Sequence, residues 1–319
     1  MKKGILIHPD ELTRQWIDRM ADNGINTVGI HPVGGRRAAE SLTELLDLCE
    51  TSAFRSLIDY AIDEKGLEVE YEFHAAGFLV PRDLFANHPD YFRMNEQGER
   101  VNDCNFCVSN HQVLELAYSR AKEITKRLYR SSNLYYYWLD DARGKSCHCP
   151  KCRNLSASDQ QLTVINHLLH AVREVCPAAK MAYLAYYDTM RIPEAVAFDD
   201  GIFLEYAPIE KSKIDGDIDL DMAAEELRMA RLLLNHFGPK DAKVLEYWLD
   251  NSLFSHWEKP PKLFSANEDV IRRDIREYIG MGFSSIATFG CYLGPDYEKL
   301  YGEPDITPFT KAFAIAPSL

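Results

Sequence analysis

The 319-residue sequence lacks an excess of positive charge, since 36 lysines and arginines stand against 49 aspartates and glutamates. The net charge of −13 argues against a nucleic-acid partner, because phosphate binding requires a positive surface. No apolar run is long enough to span a membrane, and the one before His8 is too short for the core of a signal peptide. We therefore expect a cytoplasmic protein with no membrane or nucleic-acid partner.

Two motifs are also missing. No G-x-G-x-x-G turn follows the first apolar strand, which argues against an open dinucleotide-binding sheet and an organic cofactor. No H-x-H pair stands on that strand, which argues against a catalytic metal site of the amidohydrolase kind. In a reducing compartment the eight cysteines are expected to be free of disulfides.

Strand-like and helix-like segments alternate along the chain, and glycine or proline ends most of the helical patterns just before the next strand. The predicted strands are Ile5–His8, Thr27–His31, Glu68–His74, Leu134–Asp140, Met181–Tyr187, Ile202–Tyr206, Val244–Trp248 and Ser285–Phe289. Eight strands separated by helices predict a parallel sheet closed into a (β/α)8 TIM barrel. We expect one domain over residues 1–319.

Functional residues of such a barrel lie after the carboxyl ends of its strands. Two predicted strand ends are nearly alike, YWLDD at 137–141 and YWLDN at 247–251. Because side chains alternate along a strand, Trp138 and Asp140 should share one face, as should Glu246, Trp248 and Asp250. We expect these aromatic and acidic side chains to face the mouth of the barrel.

Acid–base chemistry on a neutral polar substrate needs two carboxyl groups in different protonation states. Asp140 or Asp141 is predicted to protonate a leaving oxygen, unless the pair caps its loop or binds Arg143. Glu205 and Glu246 interrupt apolar strands, where an unpaired carboxylate is costly. Each is predicted to be a base or nucleophile or, alternatively, half of an ion pair inside the barrel.

Aromatic rings at the mouth would support sugar rings, and polar side chains there would bind hydroxyl groups. The predicted substrate-binding residues are His31, His74, Trp138, Tyr186, Tyr206, Trp248 and Asp250. Together with His8, His31 and His74 could instead form a metal site. The segment from 75 to 110 is too long for an ordinary connection and is predicted to overhang the mouth.

Three cysteines form a C-x-C-x2-C motif after the fourth strand, at Cys147, Cys149 and Cys152. Three soft ligands so close together favour a structural zinc ion. A tetrahedral site needs a fourth ligand, and Cys104, Cys107 or another side chain of the long third loop could supply it. The alternative is three unliganded thiols.

Several stretches resemble a bacterial family of glycoside-hydrolase-like barrels that is distantly similar to α-glucuronidases and β-hexosaminidases. They are HPDYFRMNEQGER (88–100), CVSN (107–110), YYWLDD followed by CHCPKC, and MAYLAYYDT (181–189). In β-hexosaminidases the fourth strand ends in an Asp–Glu pair whose glutamate is the general acid. The resemblance implies that role for Asp141, one methylene shorter, with Asp140 beside it.

These observations predict a carbohydrate-active protein, a glycoside hydrolase, with a carbohydrate or glycoconjugate ligand. The Asp–Asp pair leaves open a non-catalytic barrel that binds sugar or a partner and has lost its general acid. A metal-dependent hydrolase or isomerase is the third alternative.

Overall fold

The computed structural model describes residues 1–210 and 220–315. Its strands are β1 (Lys2–Ile7), β2 (Thr27–Ile30), β3 (Glu68–His74), β4 (Leu134–Trp138), β5 (Lys180–Ala185), β6 (Ile202–Tyr206), β7 (Lys243–Glu246) and β8 (Ser285–Phe289). Its helices are α1 (Arg14–Asp22), α2 (Ala38–Leu48), α3 (Ser52–Asp59), α4 (Ala76–Leu79), α5 (His111–Arg127), α6 (Ala157–Arg173), α7 (Leu220–Phe237), α8 (Asn251–Phe254), α9 (Glu268–Met281), α10 (Pro295–Tyr301) and α11 (Thr307–Ala312).

The eight strands form a closed parallel barrel in chain order. Strand β1 pairs with β2 on one side and with β8 on the other, in a register that sets Lys2 opposite Ser285. The predicted (β/α)8 fold is therefore confirmed. All eight predicted strands are present, but β4, β5 and β7 each end two residues earlier than expected.

Burial on both faces explains the apolar character of the strands. Every residue of β4 and β6 is buried, as parallel strands covered by helices require. Tyr137 of β4 shares a hydrogen bond of 3.0 Å with Thr125 on α5, so this face meets the helices. The neighbouring Tyr136 takes the opposite face and packs its ring edge-on against Phe203.

Local capping signals fix where the helices begin and end. At α6, Ser156 and Asp159 form a capping box, in which each side chain accepts a hydrogen bond from the other's backbone N–H. Asn110 and Asn267 cap α5 and α9 in the same manner, through their side-chain oxygens. Gly282 ends α9 with a φ of 100°, a conformation that glycine adopts readily.

The chain divides into two compact units. The terminal unit comprises residues 1–31, 56–70 and 204–319, and the central unit comprises residues 32–55 and 71–203. The prediction of one domain stays a prediction. Within the described residues, no helix combines the length and apolar character that a bilayer crossing requires.

Candidate functional site

A pocket opens at the carboxyl ends of β3, β4 and β5 in the central unit. Its volume is about 650 Å³, including the open mouth. Polar, charged and aromatic side chains share its wall, among them His74, Asn105, Asp140, Lys145, Tyr186 and Asp188. A concave wall with a few convergent polar groups, at this end of the strands, is the usual ligand site of such a barrel.

Asp140 is held at the wall by two donors. Its Oδ2 atom accepts hydrogen bonds from Arg82 Nη2 and from the Asn105 backbone N–H, each at 2.6 Å. The Asn105 side chain in turn accepts from the Asp140 N–H at 2.9 Å. The cation that pairs with Asp140 is therefore Arg82, whereas the alternative named Arg143. Within residues 1–210 and 220–315, no hydrogen bond reaches the other carboxylate oxygen, Oδ1, which remains available to a ligand.

Asp141 and Asp188 are both exposed but differ in position. The Asp141 carboxylate has no hydrogen bond or ion pair with any described residue, and it is not part of the pocket wall. Asp188 lines the pocket and accepts a hydrogen bond from the Gly144 backbone N–H. The sequence-based site residues did not include Asp188, although its position just after β5 was an available signal.

His74 enters the pocket wall in a fixed orientation. Its Nδ1 atom lies 2.6 Å from the Leu139 carbonyl, which can only accept, so Nδ1 carries the proton. The Trp138 ring packs edge-on against it at 5.2 Å and is itself buried. Gly34 lies so close that a Cβ there would stand 3.1 Å from His74 Cδ2. Trp138 thus supports His74 from behind and is not an open platform for a sugar.

Two tyrosines provide the aromatic part of the wall. Tyr186 and Tyr187 are half-buried, line the pocket, and have ring centroids 3.9 Å apart. The Arg143 guanidinium lies over the Tyr187 ring at 3.8 Å. The prediction placed Tyr186 at a ligand site, and it does line the pocket. Tyr187 was not among the predicted site residues, although it follows Tyr186 directly.

Glu205 lies in a buried charge cluster of the terminal unit. Its Oε1 atom is 3.7 Å from Lys243 Nζ, which also donates to Glu70 at 3.0 Å. All three side chains are almost fully inaccessible to solvent. Lys243 is the first residue of β7 and stands in register with Glu205. This geometry matches the ion-pair alternative for Glu205.

Glu246 and Trp248 contact the helix beside their strand. Tyr278 on α9 donates a hydrogen bond of 2.6 Å to Glu246 Oε1, and burial raises the pKa of this tyrosine well above its usual range. Trp248 Nε1 donates to Asp274 on the same helix at 3.3 Å. The prediction that both side chains face the barrel mouth is wrong. Lys243 of β7 faces the buried charge cluster, so alternation turns Glu246 to the opposite face, toward α9. The strand ends at Glu246, so alternation does not extend to Trp248.

Tyr206 and Asp250 also have partners within the protein. The Tyr206 hydroxyl donates to the Glu226 carbonyl of α7 at 2.6 Å, and the ring is fully buried. Asp250 caps α8 by accepting from the Ser252 and Leu253 N–H groups. Burial raises the pKa of Asp250, and the hydrogen bond from Ser252 opposes that effect.

His31 belongs to an aromatic cluster after β2, β7 and β8. Its ring packs edge-on against Phe289 at 5.1 Å, and Tyr247 stacks on the same phenylalanine at 5.1 Å. The His8 ring stacks on His31 at 5.8 Å. Neither His31 nor His74 belongs to a group of metal-ligating side chains among the described residues.

The cysteine motif is completed by Cys107. The sulfur atoms of Cys107, Cys147, Cys149 and Cys152, here called the cysteine knuckle, all lie within 4.8 Å of one another and are buried. All eight cysteines are free of disulfides. Hydrogen bonding to Cys147 and Cys152 lowers the pKa of the Cys107 thiol. The four thiols could hold a metal ion, and Cys107, rather than Cys104, is the fourth member of the set.

Gln160 of α6 fixes the knuckle beside the pocket. Its Oε1 atom accepts from the Cys147 N–H at 2.8 Å, while its Nε2 atom donates to the Cys147 and Cys152 carbonyls at 3.0 and 3.3 Å. Gln160 and Cys147 both line the pocket, as does Asn105, which holds Asp140. The knuckle therefore joins two loops that form the pocket wall.

The family model described as a domain of unknown function, DUF4838, matches residues 49–224. No curated protein sequence matches the chain significantly. The solved structure of cellulose synthase subunit Z from Clostridioides difficile has a TM-score of 0.53 and 13% identity, covering 98% of this chain and 99% of that one.

Two other solved structures share the barrel. Endo-glycoceramidase II from Rhodococcus sp. has a TM-score of 0.56 and 12% identity, covering 97% of this chain and 77% of that one. The Bacteroides ovatus GH5 xyloglucanase has a TM-score of 0.51 and 15% identity, covering 98% and 74%. Likeness at these identities shows a common fold and does not transfer residue roles.

Proposed function

The chain belongs to the family of the domain of unknown function DUF4838, and we propose that it is a glycoside hydrolase whose glycan binds in the pocket of the central unit. Its barrel is shared with carbohydrate-active enzymes, which supports a carbohydrate ligand. The observation that carries the proposal is Asp140, fixed at the wall by Arg82 and Asn105 with one carboxylate oxygen available.

The pocket wall contains the groups that a sugar requires. Tyr186 and Tyr187 offer apolar ring surface at the mouth, against which a pyranose ring can pack. The Nε2 atom of His74 can accept a hydrogen bond from a sugar hydroxyl, because the proton is on Nδ1.

The reaction needs a proton donor and a second carboxylate. We assign the donor to Asp140, whose side chain lines the pocket; the resemblance implies that role for its neighbour Asp141, which is exposed and outside the pocket wall. Asp188 is the second carboxylate of the same pocket wall and replaces the glutamates that sequence analysis suggested. We exclude Glu205 and Glu246 as catalytic residues, because Glu205 pairs with Lys243 and Glu246 accepts a hydrogen bond from Tyr278.

The test is hydrolysis of the xyloglucan heptasaccharide XXXG, cello-oligosaccharides and a panel of 4-nitrophenyl glycosides by the full chain. Once a substrate is found, Asp140→Asn and Asp141→Asn are each compared with Asp83→Asn, which changes an exposed carboxylate outside the pocket. We expect Asp140→Asn, Asp141→Asn or both to lose two or more orders of magnitude in kcat, and the control to keep its rate. Full turnover in both aspartate variants would disprove the mechanism.

The second candidate is a sugar-binding barrel without hydrolysis. The engagement of Glu205 with Lys243 and of Glu246 with Tyr278 favours it, because both glutamates that could assist the aspartates have structural partners. Binding of a panel glycan that Tyr186→Ala weakens, with no product after prolonged incubation, would select this function over the first.

We also propose that the cysteine knuckle holds a structural zinc ion in a reducing, cytoplasmic setting. Four thiolates form the closed tetrahedral set typical of structural zinc, with no position left for a substrate. The ion would join the loop of Cys107 to the loop of the other three cysteines. Metal analysis of protein purified without chelator tests it, and the absence of bound zinc would contradict it.

A further inference from the structure

A second group of metal-ligating side chains lies in the terminal unit. His8 follows β1, Glu11 comes one turn later, and Cys291 follows β8. All three are buried, and one donor atom from each lies within 4.8 Å of the other two. An imidazole, a carboxylate and a thiol are thus gathered after the carboxyl ends of two paired strands.

The three side chains approach one another without bonding. Among the described residues, no hydrogen bond or ion pair joins any two of them, and the Cys291 thiol lies 3.8 Å from the Leu6 carbonyl. Ligands at about 2.0–2.3 Å from a tetrahedral metal stand roughly 3.5 Å apart. Donor atoms within 4.8 Å of one another are compatible with such a set once small side-chain movements bring them onto one ion.

Neighbouring groups fix the orientation of two donors. His8 Nδ1 lies 2.7 Å from the His31 carbonyl, so it donates that proton and leaves Nε2 as the ligand atom. Metal-binding histidines characteristically donate their other N–H in this way. The Tyr292 N–H donates to Glu11 Oε2 at 3.1 Å, and a Cβ at Gly294 would lie 2.7 Å from Glu11 Cβ. Glu11 therefore has little freedom to move away.

We propose that His8, Glu11 and Cys291 bind a divalent cation of the zinc class. The mixed nitrogen, oxygen and sulfur set suits Zn²⁺, whereas Mg²⁺ and Ca²⁺ prefer oxygen donors alone. Three protein ligands leave a fourth position for water or a bound molecule, the pattern of open zinc sites. This site differs from the knuckle, whose four thiolates close the coordination sphere.

Zn²⁺ titration of the full chain, with metal analysis after removal of unbound ion, tests the proposal. We expect two equivalents in the wild type and in Cys49→Ser, which changes a buried thiol outside both groups. Glu11→Gln and Cys291→Ser should each retain one equivalent, and so should the Cys149→Ser, Cys152→Ser double variant. Thermal unfolding confirms that each variant is folded.

Co²⁺ gives a second readout that does not depend on counting ions. In the double variant, bound Co²⁺ should show the charge-transfer absorption of a single thiolate, which the further change Cys291→Ser removes. If the double variant does not fold, Glu11→Gln alone decides the matter, because it must lose one of the two equivalents. A Glu11→Gln or Cys291→Ser variant that binds as many equivalents as the wild type overturns the proposal.

Discussion

Asp140 and Glu205 are both carboxylates paired with a cation, yet their surroundings differ. Asp140 lies two residues beyond the end of β4, is half-buried, and binds Arg82 at the wall of a pocket. Glu205 lies within β6, is fully buried, and faces Lys243 at the start of β7. A pair that solvent cannot reach serves the fold alone. A pair at a pocket wall can also accept a ligand.

The largest stability effect is expected at the buried pair. Lys243→Met removes the cation that faces the buried Glu205 and leaves Glu70 with Lys2 alone, which costs about 3–5 kcal/mol in the free energy of unfolding. Lys240→Met, at an exposed lysine, should stay within about 0.5 kcal/mol. Chemical denaturation measures both. A loss below about 1 kcal/mol in Lys243→Met would mean that the cluster does not need its cation.

The second-largest stability effect is expected from loss of the metal proposed for the cysteine knuckle, near the pair of Arg82 and Asp140. Cys107→Ser should abolish one equivalent of zinc and lower Tm by several degrees, because the metal joins the loops that carry Asn105 and Asp140. Cys104→Ser, on the same loop but outside the knuckle, is the matched control. Metal analysis with thermal unfolding checks both, and an unchanged zinc content in Cys107→Ser would exclude Cys107 as a ligand.

A smaller loss of stability is expected at the contact between Glu246 and α9. Tyr278→Phe removes the hydroxyl that donates to Glu246, so we expect a loss of about 1–3 kcal/mol in the free energy of unfolding. Glycan hydrolysis should not change, since this contact is assigned to the fold. Tyr301→Phe, at an exposed ring, controls for the change of residue type. A specific loss of kcat at unchanged stability would return Glu246 to the catalytic candidates.

The smallest stability effect is expected at the pocket pair. Arg82→Met should cost no more than about 1 kcal/mol, because a partly exposed ion pair contributes little. Glycan affinity should nevertheless fall about tenfold, since Asp140 no longer held by Arg82 would lose its hydrogen bond to the sugar, and such a bond to a charged group is worth about 1.5 kcal/mol or more. Calorimetric titration with a panel glycan measures it against Arg36→Met, an exposed control. Equal affinity in the two variants would remove Arg82 from the site.

The fold could be predicted because its signals are local. Apolar strands, amphipathic helices and terminating glycines recur in a fixed order, and all eight strands lie where that order indicates. Asp140 could be placed at the pocket wall for the same reason, since it ends an apolar strand pattern. The helix α2 was missed, although its leucines at 42, 45 and 46 follow a helical spacing.

The direction of side chains beyond a strand end could not be predicted. Glu246 and Trp248 were assigned to the mouth, but Glu246 lies on the face of β7 opposite to Lys243, and the strand ends before Trp248. Partners far apart in sequence were equally hidden: Lys243 for Glu205 and Arg82 for Asp140. Cys107 was one of the predicted candidates for the fourth member of the cysteine set, but the sequence did not distinguish it from Cys104. These contacts depend on register and loop packing, which no local pattern encodes.

The central claim, that the pocket of the central unit binds a glycan, is tested most directly by a crystal structure of the full chain with a bound panel oligosaccharide. We predict a sugar ring packed on Tyr186, with a sugar oxygen within hydrogen-bond distance of Asp140 Oδ1. An oligosaccharide bound elsewhere, with Asp140 still contacted only by Arg82 and Asn105, would contradict the account.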